Sequence, residues 1–172
     1  MRINKTNRNK NIKSILSKWG FSKQGLLNNS KGEWYLFSQI LVILLHFITP
    51  NPKIEHVGFG INTFFLIIGF SFSIQGLIIV IKAFLDLGEN LTPLPYPINE
   101  SILIKDNSYQ NVRHPLYKGL LLISLGISIF LLSILHLCLF ISLAYILKIK
   151  AIKEEERLKI KFPEYKKYMK EV

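Results

Sequence analysis

Between Leu116 and Leu147 the chain runs for about thirty residues with Lys118 as its one charged side chain, well beyond the roughly 20 apolar residues that a transmembrane helix needs. Such a block is too long for one ordinary span and too apolar to leave in water. Read as a hairpin, it turns near Ser133 to His136 and supplies two helices of about fifteen residues each. Read as one tilted helix, it would put the segments before and after it on opposite sides of a membrane. The hairpin instead returns two polar clusters to one face. The first is residues 101–117, SILIKDNSYQNVRHPLY; the second is residues 150–158, KAIKEEERL.

The basic residues favour the hairpin. Eight Lys and Arg lie before residue 32 and nine from Lys148 onward, whereas residues 50–56 hold only Lys53. Positive residues mark the cytoplasmic side. Both termini and residues 89–113 are therefore expected in the cytoplasm and the Pro50 loop outside, with four spans between. The expected fold is an all-α polytopic membrane bundle of about four transmembrane helices, ending in a helical hairpin. With 172 residues the chain has room for one domain. It divides into a basic tail, residues 1–33, and an integral-membrane domain, residues 34–172, whose catalytic half is 89–172. The tail has no continuous apolar core, so it does not read as a cleavable signal peptide. It is either solvated or laid as a basic segment on anionic lipid.

Composition supports the same class. The chain is 49% hydrophobic yet carries a net charge of +11, and these properties are segregated into apolar runs with basic flanks. The charge therefore does not line one soluble face, which argues against a nucleic-acid interface. Cys138 has no second cysteine to pair with, so neither a disulfide nor a cysteine-rich zinc site is available. Short loops and small size suit a microbial cytoplasmic membrane.

The first span is residues 34–49, stopped by Pro50 and Pro52, and it is short for a bilayer. Gln39 and His46 are seven apart, hence on one inward face, where a hydrogen-bonded structural histidine is the expected role for His46. The second span runs from Val57 to about Phe84. Gly69, Ser73 and Gly76 lie four and seven apart, which lets a neighbouring helix approach closely. Gln75 calls for an internal partner. Pro93, Pro95 and Pro97 then make residues 89–97 an extended segment, laid along the membrane surface or serving as a spacer.

Pro115 suits the first turn of a helix and keeps His114 out of the helical conformation, so Arg113 and His114 stand at a helix start. Such a start favours a carboxylate or phosphate. Glu154 and Glu155 supply negative charge at the mouth of the last span, and Tyr109 and Tyr117 supply flat surfaces. A ligand carrying an anion, a cation and a heterocycle would match; an amino acid joined to a nucleoside has all three. The plainer alternative is a set of interfacial anchors and a solvated helix with pairs such as Glu155–Lys159. His114 has no local histidine partner, so no metal site is expected.

These residues resemble the isoprenylcysteine carboxyl methyltransferase family, which groups with phospholipid N-methyltransferases among integral-membrane methyltransferases. The resemblance rests on Leu103-Ile104, Tyr109 and Arg113-His114-Pro115-x-Tyr117. It continues through Gly119 and Gly126 to Glu154-Glu155-x-x-Leu158 and Phe162-Pro163-x-Tyr165-x-x-Tyr168. It covers roughly the C-terminal half. It implies S-adenosyl-L-methionine as cofactor, bound by Ser101, Ile102, Leu103, Ile104, Tyr109, His114, Pro115, Leu116, Tyr117 and Glu154. It implies that Lys150, where relatives usually have arginine, faces the substrate. Lysine is a point charge rather than a planar fork, which weakens bidentate carboxylate recognition. Asn107-Ser108 stands where relatives commonly have glycine and a small residue; Asn tolerates the left-handed conformation such a turn needs.

The implied reaction is methyl transfer to a lipophilic acceptor entering from the bilayer, with an isoprenylcysteine-type carboxylate favoured. Arg113 and Glu155 are the candidate catalytic residues, although Arg113 serves equally well as a fold element. A carboxylate needs no base; an amine does, and Glu155 or Tyr109 would supply it. The alternatives are a phospholipid N-methyltransferase, an NADPH-dependent membrane reductase on a related scaffold, and a non-catalytic membrane protein.

Overall fold

The computed structural model describes residues 19–21, 23–51 and 58–172. The tail through Lys18 and the loop residues that include Lys53 lie outside the described residues. Among the described residues all regular structure is helical. Six α-helices follow in order: α1 (Lys23–Asn28), α2 (Glu33–Ile48), α3 (Phe59–Leu87), α4 (Pro115–Phe130), α5 (Ile134–Lys161) and α6 (Tyr165–Glu171). Single 3-10 turns occupy Gly88–Asn90 and Asn107–Tyr109.

Helices α3 and α5 are long and apolar enough to cross a membrane, while α2 and α4 are apolar but shorter, at 16 residues each. Only 11% of the most apolar window of α3 is buried within the protein. A core helix of a soluble protein would bury that face. Here Phe59, Ile67, Phe70 and Leu85 point outward, a continuous apolar surface that water would not tolerate.

The hairpin forms, with its turn at residues 131–133 rather than just after Ser133. The reason is a hydrogen-bonded helix stop. Ser133 N–H donates to Ser128 O at 3.2 Å and Leu132 N–H to Ile129 O at 3.1 Å, with Leu132 at φ 48°. This is the Schellman arrangement, with leucine where glycine is commoner. His136 thus falls inside the first turn of α5, whose cap is Ser133.

Antiparallel α3 and α4 meet through glycines, as the spacing in α3 predicts. A Cβ on Gly69 would lie 2.6 Å from Gly126 O, and one on Gly76 would lie 2.6 Å from Gly119 O. The backbones are in contact at two levels, seven residues or about 10 Å apart along each helix. Gln75 departs from expectation. Its side chain is exposed and donates to Ser71 Oγ on its own helix at 3.1 Å, because the small residues, not Gln75, occupy the contact face.

Helix α2 packs on α5 around Val42, Leu143 and Leu147. Polar groups are matched there. His46 Nδ1 lies 2.9 Å from Val42 O and Nε2 lies 2.7 Å from Ser124 Oγ. A carbonyl only accepts, so Nδ1 donates to Val42. His136 Nδ1 is 2.8 Å from Ser133 Oγ and Nε2 is 3.3 Å from His46 O. Both histidines are fully partnered, which fits a structural role inside an apolar bundle.

Gly126→Leu is expected to destabilise the bundle by about 1–3 kcal/mol through overpacking, read as a lower melting temperature in detergent. Adding Ser73→Ala removes the nearest atom but leaves Gly69 O at 2.6 Å, so it should not restore stability. An unchanged melting temperature for Gly126→Leu contradicts the packing account.

Candidate active site

The site is built where α3, the loop after it, α4 and α5 converge. Asp86, in the last turn of α3, accepts from Ser108 N–H at 3.0 Å and Asn107 Nδ2 at 3.4 Å. Asn107 sits at φ 54°, the left-handed conformation expected of it. This anchored turn presents Tyr109, whose carbonyl accepts from the Tyr168 hydroxyl of α6. Burial, with the charges of Glu154 and Asp86, pushes the Tyr109 hydroxyl well above its ordinary range. That direction disfavours Tyr109 as the base that the sequence offers for an amine acceptor.

His114 has φ −129° and ψ 64°, outside the helix that Pro115 begins, as the His-Pro order predicts. The imidazole stacks on Tyr117 with centroids 5.3 Å apart and planes 6° off parallel. Across the hairpin, Glu154 Oε2 accepts from the Tyr117 hydroxyl at 2.8 Å. Glu155 Oε1 lies 3.0 Å from His114 Nε2 and 3.4 Å from Arg113 Nε. The two glutamates thus bind the start of α4 to α5. This corrects the solvated-helix alternative: Glu155 faces Arg113 and His114, not Lys159, because the hairpin puts those side chains nearer.

Lys150 is buried at 2% exposure, which a cation tolerates only with partners. Its Nζ donates to Gln39 Oε1 at 2.6 Å and Pro93 O at 3.2 Å, and lies 5.3 Å from the Tyr117 ring centre.

A cavity of about 280 Å3 occupies the centre of this arrangement, near the lower end of the roughly 300–1,000 Å3 usual for small-molecule sites. Tyr109, His114, Leu116, Tyr117, Lys150 and Glu154 line it. It holds both signs of charge, two phenol rings and an apolar wall from Leu36, Phe84, Leu87 and Leu91. That donor set fits a zwitterionic ligand with a flat heterocycle.

The other sequence-predicted residues stand outside the lining. Ser101 Oγ donates to Ile98 O at 2.7 Å and accepts from Lys161 Nζ at 2.7 Å. Ile102 N–H donates to Asn90 Oδ1 at 2.8 Å while its side chain is exposed. Leu103 and Ile104 continue that irregular segment, with no strand formed. Pro115 is buried at the helix start. Arg113 is held by Glu155, which also takes His114.

Gln39 and Pro93 were not grouped with the site in sequence. Gln39 carried a signal in its inward spacing with His46. Pro93 carried a weaker one, since an extended run of prolines leaves backbone carbonyls without helical partners.

Two helices long and apolar enough to cross a membrane, with a charged cavity at the mouth of the hairpin, suit the class of integral-membrane proteins. The sequence profile described as phospholipid methyltransferase matches residues 64–164, more than half of the 172-residue chain. The chain is a member of that family, whose activity is methyl transfer to a lipid-type substrate. Comparison with curated proteins and with solved structures gives no match.

Proposed function

We propose that the chain transfers a methyl group from S-adenosyl-L-methionine to the carboxylate of a lipophilic acceptor at the cytoplasmic membrane face. The observation that carries this is the single cavity in which Glu154, Lys150, Tyr109, Tyr117 and the start of α4 come together. Held by Glu154, Lys150, Tyr109 and Tyr117, the cofactor would supply an electrophilic methyl for the acceptor's carboxylate oxygen, with its sulfur as leaving group.

The chain's own residues then bind, orient and exclude water. Glu154 offers its carboxylate to an ammonium or hydroxyl, and Lys150 offers its Nζ to a carboxylate. Tyr109 and Tyr117 give faces for the heterocycle, with Leu116 and His114 at the helix start beside them. Ser101 and Ile102 tie the neighbouring loop to Lys161 and Asn90, and Leu103, Ile104 and Pro115 stand outside the lining. Arg113 and Glu155 act as positioning residues for His114.

The carboxylate is favoured over an amine by the state of the two bases that the sequence offers. Burial pushes the Tyr109 hydroxyl above its ordinary range, and Glu155 is engaged by Arg113 and His114. A carboxylate is already nucleophilic at neutral pH; an ammonium must first lose a proton. N-methylation of a phospholipid amine is the second reading, supported by the family description.

In the membrane, α2 to α5 form four spans with both termini cytoplasmic. At about 1.5 Å per residue, the 16 residues of α2 and of α4 reach about 24 Å, so the bilayer thins or flanking residues assist. Cysteine labelling at Lys53 and Val172 should report opposite sides; labelling from the same side sinks the four-span arrangement.

Glu154→Ala is expected to weaken S-adenosyl-L-methionine binding by about 100-fold or more, the loss of a charged hydrogen-bonding group. Calorimetry on detergent-solubilised protein measures it. Unchanged affinity, or binding of NADPH in place of S-adenosyl-L-methionine, overturns the reading.

A further inference from the structure

A lysine offers a carboxylate one point charge where an arginine would offer a planar fork of donors. Around Lys150 the structure sets a second donor beside the first. Lys150 Nζ is 2.6 Å from Gln39 Oε1 and 3.2 Å from Pro93 O. An ammonium only donates, so the amide atom that faces it is the oxygen. That fixes Nε2, with its two N–H bonds, as the other end of the same planar group.

Gln39 Nε2 makes no hydrogen bond with a described residue. Nor is it sealed in, as the orphaned carboxylate oxygen Glu33 Oε1 is. Gln39 is 9% exposed and lines the charged cavity with Lys150, so this amide nitrogen opens into that space. Lys150 has three N–H bonds, of which Gln39 and Pro93 take two. An ammonium donor and an amide donor are thus left side by side on one wall. Leu36, Phe84 and Leu87 line the same cavity, and donors left unmade in apolar surroundings are costly. The one carboxylate on the cavity wall, Glu154, already accepts from the Tyr117 hydroxyl at 2.8 Å.

We infer that Gln39 Nε2 and Lys150 Nζ form one divided receptor for a ligand carboxylate, each taking one oxygen, with Gln39 as the arm that a lone lysine lacks. This rests on the methyltransferase reading above and deepens the account of its site. Gln39 has two parts to play. Its oxygen aims the ammonium, and its nitrogen adds a donor of its own. It stands on α2, outside the matched residues 64–164, so a helix beyond the family match completes the receptor. Two bonds to a carboxylate, one of them ionic, favour it over a neutral head of equal size. The acceptor and the amino-acid end of the methyl donor both carry a carboxylate, and the test separates them.

The test measures equilibrium binding to the full chain in phosphatidylcholine nanodiscs with two pairs of probes. One pair is S-adenosyl-L-methionine and its decarboxylated analogue; the other is a single-chain isoprenoid acid and the matching alcohol. Gln39→Met keeps the length of the side chain and removes the amide. It should weaken one carboxylate-bearing probe by about ten-fold or more and leave the analogue without a carboxylate as it was. Loss for the acid places the acceptor at the receptor; loss for S-adenosyl-L-methionine places the donor there. Gln39→Glu keeps an oxygen for Lys150 but offers no donor, so it should weaken the same probe at least as much. Lys150→Arg added to Gln39→Met should recover that probe, because arginine carries both arms itself. Unchanged binding of both carboxylates in Gln39→Met overturns the inference. So does an equal loss for probes with and without a carboxylate, which would make Gln39 a cavity wall only. Full binding in Gln39→Glu overturns it too, since Gln39 would then serve only to hold Lys150. A Gln39-dependent loss for the acid, in a chain with no affinity for S-adenosyl-L-methionine, would leave the receptor standing and remove the methyltransferase reading instead.

Discussion

Two adjacent glutamates hold the protein's functional end together. Glu154 takes the Tyr117 hydroxyl and Glu155 takes His114 and Arg113, so one turn of α5 is bound to the first turn of α4. Near an apolar boundary such contacts are stronger than in water, and a carboxylate left without partners there would be costly. The apolar connection between these turns is a hairpin, and its closed stop at Ser128 and Ser133 fixes how the arms return. The polar contacts therefore set the register of the hairpin mouth, and the cavity beside it inherits that register.

The rest of the fold brings a wall to this mouth. Glycine contacts press α3 against α4 with backbone on backbone, so the end of α3 arrives at a defined height. Asp86 then fixes the turn that carries Tyr109, and Tyr168 of α6 holds the same residue from the other side. Lys161 binds the carbonyls of Ile98 and Asn99 together with Ser101 Oγ. The irregular segment is thus tied at both ends to helices, which gives a loop-built site the rigidity that orientation-dependent chemistry requires. Helix α2 completes the enclosure by presenting Gln39 to Lys150.

Much of this was legible in residue order because the membrane imposes simple constraints. Apolar length specified the hairpin, glycine spacing specified the α3–α4 contact, and the His-Pro pair specified a helix start with His114 outside it. Small errors trace to local chemistry. The hairpin turned earlier than expected because hydrogen bonding placed the stop at Leu131–Leu132, and Gln75 chose Ser71 over a neighbouring helix. Pairings between distant polar groups were less legible. Nothing in the order of residues says that Lys150 meets Gln39 and Pro93, or that Glu155 takes Arg113 and His114. Those choices depend on how α2 and the proline segment settle against α5, a tertiary outcome. The same holds for residues 101–104, which resemblance implied at the cofactor and which are not among the residues lining this cavity.

The His114–Tyr117 stack has two faces, a charged cavity toward α2 and α3 and an apolar groove along the hairpin. The methyl donor and the acceptor's reacting oxygen meet in the charged cavity in this account. Its most direct test is transfer itself. The full chain in nanodiscs is given S-adenosyl-L-methionine bearing a tritiated methyl group and a single-chain isoprenoid acid, and the organic-soluble product is treated with alkali. The account predicts label in the organic phase that alkali releases as volatile methanol, the behaviour of a methyl ester. Label that stays alkali-stable on a phospholipid amine, or no transfer to any lipid, would contradict it.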